Sequence, residues 1–245
     1  MHAPPVLLLH ALGTSLAVWR AQLAALEASF RVIRYDVRGH GQSVRPTGSA
    51  ADCSIMELVA DALAVLDAAR IERADWCGMS LGGMTAMAAA VSHPERVRRL
   101  VLANTSAHLG AREALDGRIA AIRTRGIDAA IDGLAERWFT PEFRAADPDT
   151  VEQILAIVRG TDPLGYIDAC AAVRDLDLRE AIGAIRAPAL VIAGARDLST
   201  PIEHALDITD RIASTRYEVL DASHLSNVEQ ADDFNGAALA FLRDY

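Results

Sequence analysis

The stretch that most constrains this chain is Cys77-Gly78-Met79-Ser80-Leu81-Gly82-Gly83. A short apolar run, Ala74-Asp75-Trp76-Cys77, leads into it, and a run of small residues, Met84 to Val91, leads out. The middle has the form Gly-x-Ser-x-Gly. In such an elbow a strand turns into a helix within a few residues, and the serine at the apex sits in a strained backbone conformation. Gly78 and Gly82 flank it where a Cβ would meet the facing backbone. The turn lifts the Ser80 hydroxyl off the sheet and places it, with the next amide, at a helix N-terminus that favours negative charge. Taken alone, the pentapeptide also fits an ordinary turn, because Gly and Ser are common there. Its meaning depends on whether a base and an acid follow in the right places.

The surrounding pattern alternates strand and helix. Val6-Leu7-Leu8-Leu9-His10 is a continuous apolar run of the kind buried on both faces of a parallel sheet. Ser15 to Leu26 reads as a helix with Leu16, Trp19, Leu23 and Leu26 on one face. Arg31 to Asp36 is a strand running into the glycine-rich loop Arg38-Gly39-His40-Gly41-Gln42-Ser43. Ser54-Ile55-Met56-Glu57 has capping-box spacing and opens a helix to about Ala69. Arg99 to Ala103 is another buried strand. From Ala107 to Arg179 no strand-like run occurs, and Gly126, Pro141, Pro148 and Pro163 break a helical stretch. Alternation then resumes with a strand at Ala189 to Gly194, a second capping box at Thr200-Pro201-Ile202-Glu203, a strand at Arg216 to Leu220 and a last helix at Phe234 to Leu242. The pattern predicts an α/β fold with a mostly parallel sheet flanked by helices and an all-helical insertion. The expected divisions are 1–106 and 180–245 for the two parts of the core and 107–179 for the insertion.

A serine hydroxyl becomes a competent nucleophile when a base takes its proton and a carboxylate orients that base. On a parallel sheet the ligand side is the carboxyl end of the strands. The missing partners are therefore sought just past strand ends, in the order Ser, Asp, His. Asp197 follows the strand Ala189 to Gly194, and His224 follows the strand ending at Leu220. Each has an ordinary reading as well: Asp197 as a cap or turn residue, His224 as a loop histidine. Together with the elbow, and in order, Ser80, Asp197 and His224 form the candidate catalytic set. Asp221 and Asp36 are the rival carboxylates; Asp221 lies too near His224 in the chain to reach its far nitrogen readily. Two backbone amides are needed for a developing oxyanion. Leu81, after the serine, and Leu12, in the loop after the first strand, are the candidates.

Composition narrows the partners. Of 245 residues, 51% are hydrophobic and 23% charged, enough apolar material for a large core. A net charge of −9 disfavours nucleic acid and anionic membrane surfaces and requires a local cationic pocket for any anionic substrate. Cys53, Cys77 and Cys170 form no metal or disulfide pattern, and no leader-like or membrane-spanning run is evident, so a cytoplasmic location is expected. No metal site is signalled.

The elbow, the ordered Ser80–Asp197–His224 set, the His10-Ala11-Leu12-Gly13 loop and Asp36-x-Arg38-Gly39-x-Gly41-x-Ser43 resemble the α/β-hydrolase superfamily. Further stretches are similar to the 3-oxoadipate enol-lactonase family: Leu12-Gly13-Thr14 with Trp19, Arg34 to Gly41, Asn104-Thr105-Ser106, Arg137-Trp138-Phe139-Thr140, Gly165-Tyr166 with Cys170, and Asp221-Ala222-Ser223-His224-x-Ser226-Asn227. The resemblance implies a cofactor-free serine hydrolase that opens a small enol-lactone carrying a carboxylate. It implies that the insertion is a cap, with Trp138, Arg137 and Trp19 as candidate substrate contacts. Members of that family carry a strand pair ahead of the strand that here starts at Val6. A sheet lacking that pair is expected to leave an edge open to self-association into a homo-oligomer. A carboxylesterase, perhydrolase or C–C bond hydrolase on the same fold is the alternative within enzymes, and a ligand-binding receptor on this scaffold the alternative outside them.

Overall fold

The computed structural model of the chain describes residues 3–46 and 53–244; Met1, His2 and Tyr245, at the ends of the expected divisions, and residues 47–52 lie outside them. The strands are β1 (Pro5–Leu9), β2 (Arg31–Arg34), β3 (Ala74–Met79), β4 (Val97–Ala103), β5 (Ala189–Gly194) and β6 (Thr215–Leu220). They form one sheet in the order β2-β1-β3-β4-β5-β6, every pairing parallel. Successive side chains of a strand point to opposite faces. Val6 and Leu8 accordingly join one buried cluster with Cys77 and Val101, while Leu7 and Leu9 join the other with Trp76 and Leu100. This is why the central strands read as unbroken apolar runs.

Helices α1 (Arg20–Glu27), α2 (Ile55–Ala68) and α3 (Leu81–Ser92) connect the first strands. α2 carries the expected capping box: the Ser54 hydroxyl accepts from the Glu57 amide, and the Glu57 carboxylate accepts from the Ser54 amide. The predicted helix from Ser15 starts instead as a 3-10 turn over Leu16–Trp19, capped by the Ser15 hydroxyl, and becomes α-helical only at Arg20.

Between β4 and β5 lie only helices among the described residues: α4 (Arg112–Arg125), α5 (Asp128–Ile131), α6 (Leu134–Trp138), α7 (Pro141–Ala146), α8 (Pro148–Arg159) and α9 (Pro163–Asp175). The prolines read as breaks are helix starts. Each occupies the first turn, where its missing N–H has no acceptor to lose, and Thr140, Asp147 and Asp162 cap the three helices. The start of α9 sits directly on the glycine-rich loop. A Cβ on Gly39 would run into the Gly165 backbone, the Asp162 amide donates to the Gly39 carbonyl at 3.1 Å, and the Thr161 hydroxyl donates to the Gly13 carbonyl at 3.3 Å. Arg45 adds an ion pair at 2.5 Å to the buried Asp168 of α9.

The chain closes with α10 (Ile202–Arg211), α11 (Ser226–Glu229) and α12 (Ala231–Arg243). The second capping box does not form: Pro201 caps α10 without a side-chain bond. The Thr200 hydroxyl is drawn off to Asp197, 2.7 Å away. No helix of the described residues is long and apolar enough to cross a membrane.

Candidate active site

Ser80 stands between β3 and α3 with φ 53° and ψ −114°, a region that costs a side-chain-bearing residue free energy. The surroundings hold it there. Its amide donates to the Ala103 carbonyl at 2.9 Å and its carbonyl accepts from the Thr105 hydroxyl at 2.7 Å. Every other residue from Ala74 to Ala90 is buried, so the elbow presents Ser80 alone. The flanking glycines are sterically required: a Cβ on Gly78 would meet the Gly82 carbonyl, and one on Gly82 the Leu9 carbonyl oxygen.

Asp197 lies three residues past β5, and five donors converge on it. Oδ1 accepts from the amides of Ser199 at 2.7 Å and Thr200 at 3.0 Å. Oδ2 accepts from the Thr200 hydroxyl at 2.7 Å, from His224 Nδ1 at 2.8 Å and from Asn104 Nδ2 at 3.0 Å. Burial alone would push this carboxyl up; the charge and hydrogen bond of His224, with the Thr200 donors, outweigh burial and hold it at about 2. The carboxylate is thus an acceptor that fixes the proton of His224 on Nδ1 and leaves Nε2 with a free lone pair. Of the rivals, Asp221 is exposed and pairs with Arg196 at 2.9 Å. Asp36 accepts from the Leu16 and Gln42 amides at 2.7 and 2.9 Å and ties two loops together.

Ser80 and His224 lie on the wall of one cavity of about 250 Å³, which Leu12 also lines. Leu81 is the first residue of α3, where an N–H has no acceptor within its own helix. The loop carrying Leu12 is set by two buried imidazoles. Gly13 donates its amide to His40 Nε2 at 3.0 Å, and Val37 donates to His10 Nε2 at 2.9 Å. Their Nδ1 atoms donate to the Arg38 and Ala11 carbonyls at 3.1 and 2.8 Å. The two bonds in which Nε2 accepts require neutral rings. Burial lowers the pKa of His10, and burial with His10 nearby lowers that of His40 to about 3. The unfolded chain takes up these protons near pH 6.5 while the folded chain refuses them. Stability therefore falls as pH drops below about 6.5, by about 1.4 kcal/mol per pH unit for His40 until it titrates near 3, and His10 adds to the fall in the same direction. H40Q is expected to flatten that slope by one proton, read as the urea midpoint between pH 6.5 and 4.

A family model described as the alpha/beta hydrolase fold matches residues 4–123. Two curated relatives from Acinetobacter baylyi, 3-oxoadipate enol-lactonases 2 and 1, are 36% identical over 242 residues and 34% identical over 233 residues. These alignments cover 99% and 95% of this chain, and 90% and 86% of the relatives. A crystal structure of the enol-lactonase from Burkholderia xenovorans LB400 superposes with a TM-score of 0.96 at 40% identity, covering 100% of this chain and 93% of that one. The chain belongs to the α/β hydrolase family. It is a hydrolase, and its parallel sheet with an inserted helical section is the family's architecture.

Residues between β4 and β5 supply much of the rest of this hydrolase's cavity wall, with Met84, Leu198, Ser199, Thr200 and His204 from the core. Trp138 of α6 lines it and lies over His224, the ring centres 6.4 Å apart. Arg137 lines it as well, with one guanidinium nitrogen donating to the Asp132 carbonyl at 3.2 Å. Trp19 does not. The expectation that it contacts substrate is corrected: it is fully buried beside Phe234, their rings 6.0 Å apart, and its apolar helix-face pattern marked the core rather than the pocket. Met79 is likewise buried within its strand. Cys170 is buried away from the cavity wall, and burial pushes its thiol up to about 12, which makes it an inert apolar filler.

Four residues that the motif reading left without a role stand at this site. Arg118 of α4 lines the cavity. Among the described residues neither it nor Arg137 has a carboxylate within ion-pair distance. Burial and the positive charge of Arg118 both hold the Arg137 pKa below its ordinary value. Tyr166 is fully buried on the wall, with Arg118 beside its hydroxyl. His204 lines the wall with Nδ1 held 2.8 Å from the Ser106 hydroxyl. Asn104 has φ 45° and ties Asp197 to the His224 loop, donating to the Ser223 carbonyl at 3.1 Å while its Oδ1 accepts from the Ser226 hydroxyl at 2.5 Å.

Proposed function

We propose that this hydrolase opens a small enol-lactone bearing a carboxylate, 3-oxoadipate enol-lactone to 3-oxoadipate, with Ser80 as nucleophile, His224 as base and Asp197 as its orienting acid. The observation that carries the substrate class is the lining of one cavity. Ser80 and His224 share its wall with Arg118 and Arg137, which have no ion-paired carboxylate among the described residues, and with Tyr166 beside Arg118. Two guanidiniums without an internal counter-charge seat an anion well, because charge-assisted bonds in a confined site are strong. The chain's overall charge of −9 makes such a local reversal informative. The named activity of the relatives agrees with this reading, in which the insertion 107–179 serves as the cap.

In the first half-reaction, Ser80 Oγ attacks the ring carbonyl carbon and its proton passes to His224 Nε2. The amides of Leu12 and Leu81 stabilise the oxyanion. The ring C–O bond breaks, the enol oxygen leaves with the proton from His224, and an acyl-enzyme remains. The enol is a good leaving group because its charge is delocalised. Water then gives a proton to His224 and attacks the acyl carbon, the Oγ–C bond breaks, and the proton returns to Ser80. The released enol becomes the ketone by tautomerisation in solution. The orientation of His224 by Asp197 and the neutral, rigid oxyanion loop support this sequence.

The test compares the carboxylate-bearing lactone with a neutral nitrophenyl ester. R118A and R137A are expected to lower kcat/KM for the lactone by about 10- to 100-fold, the loss of one charge-assisted bond, chiefly through KM. The neutral ester is expected to change by less than about 3-fold. Turnover of the ester without turnover of the lactone in the parent enzyme, or equal losses on both substrates, removes the lactone reading.

A further inference from the structure

The segment that carries Arg137 and Trp138 and the loop that carries His224 are fastened to each other directly. The Ser223 hydroxyl donates to the Arg137 carbonyl at 2.9 Å, and the Leu225 amide donates to the Trp138 carbonyl at 3.2 Å. A single carboxylate closes the set. Glu229, at the end of α11, accepts from the Ser223 amide at 2.9 Å, from the Thr140 amide at 3.3 Å and from the Thr140 hydroxyl. Thr140 and Ser223 are both buried, so their amides have no water to turn to if Glu229 lets go. Glu229 therefore grips the residue two positions after Trp138 and the residue immediately before His224. It is not on the cavity wall and touches no group that bonds or proton transfer would involve.

We propose that Glu229 is a positioning residue that sets the spacing between the recognition segment Arg137–Trp138 and His224, and through it the selectivity for a substrate held at both ends. The argument rests on the lactone reading given above. A small lactone is rigid. If its carboxylate is seated at Arg137, its carbonyl reaches Ser80 and His224 only when Arg137 and His224 stand at the right separation. A misplacement of about 1 Å costs on the order of 10²-fold in rate for a substrate so constrained. A neutral ester without a carboxylate is held at the nucleophile end alone and is indifferent to that separation. Glu229 thus acts on the ratio between the two substrates rather than on the nucleophile.

The experiment measures three quantities on the parent, E229Q, T140V, T140S and the E229Q/T140V double variant: kcat/KM for the carboxylate-bearing lactone, kcat/KM for the neutral ester, and the rate at which a fluorophosphonate labels Ser80. E229Q keeps the side chain's shape but turns an NH₂ toward one of the two amide donors. The expected result is a fall of about 10-fold or more in the lactone-to-ester ratio, with ester turnover and labelling within about 3-fold of the parent. T140V removes the hydroxyl that Glu229 holds, together with the N-cap of α7, while T140S keeps both; T140V is expected to lower the same ratio and T140S to keep it, and this pair supplies the readout if E229Q does not fold. The double variant is expected to fall no further than E229Q, because both changes cut one linkage. Equal losses in all three quantities, or an unchanged ratio, overturn the proposal and leave Glu229 as ordinary packing. A parent enzyme that labels at Ser80 and turns over the ester but not the lactone instead overturns the lactone reading, whatever the variants do.

Discussion

S80A is expected to fold as the parent does and to lose roughly 10⁴- to 10⁶-fold in kcat on any ester or lactone substrate. The size follows from what is removed. Without Oγ no acyl-enzyme forms, and what is left is the binding energy and two oxyanion amides acting on water. That the protein stays folded follows from the backbone. Alanine keeps the Cβ, so the strain at φ 53° is unchanged, and the bonds that enforce the elbow run through the Ser80 amide and carbonyl. The measurements are a thermal melt and initial rates with enough enzyme to see a thousandth of parent activity. A folded S80A retaining more than about 1% of kcat would falsify the assignment of Ser80.

D197N is expected to cost about 10⁴-fold in kcat, with a smaller change in KM. Five donors point at this carboxylate, and an amide can accept from only some of them. Its NH₂ must face at least one donor, and the weakest accommodation is to turn His224 into the tautomer whose Nε2 carries the proton. That imidazole can no longer take one from Ser80. Stability changes too, with a definite dependence on pH. The folded pKa of Asp197, about 2, lies below its ordinary 3.8, so its contribution is fully present above about pH 4 and is lost as pH falls toward 2. That contribution is roughly 2 kcal/mol, and the D197N variant lacks it. Urea midpoints of parent and variant are expected to differ at pH 6 and to draw together toward pH 2. A constant gap across that range would show that the loss is packing alone.

What the sequence made legible is what chain-local physics governs. Apolar runs bounded by loops marked β1, β3, β4 and β5, and Gly78 and Gly82 marked the elbow because only glycine fits beside those carbonyls. Ser54 and Glu57 announced α2 because both partners of a capping box lie within one turn. Where one local rule met a distant competitor, the local reading lost. Thr200 has the spacing to cap α10, yet its hydroxyl goes to Asp197 because a buried carboxylate is the stronger acceptor. Trp19 lies on the apolar face of its helical turn as read, but nothing local distinguishes a face that meets α12 from one that meets a ligand. Arg118 is one of several arginines on a charged helix, and no neighbour in sequence tells that this one turns toward the cavity. Asn104 gains its role from Asp197, 93 positions away, and Glu229 from Thr140, 89 positions away.

The docking of α9 on the glycine-rich loop has a bearing on substrate traffic. Gly39 and Gly165 approach so closely that their backbones touch, and Thr161 reaches the Gly13 carbonyl beside them. Elsewhere the segment Arg137–Thr140 is bonded to the His224 loop. The helical section is thus tied to the core at two separate places. Leu198, exposed to solvent, stands on the same cavity wall. A cavity whose helical wall is tied down in this way is expected to keep its width, so bulky or branched esters are expected to turn over more slowly than slender ones of the same leaving group.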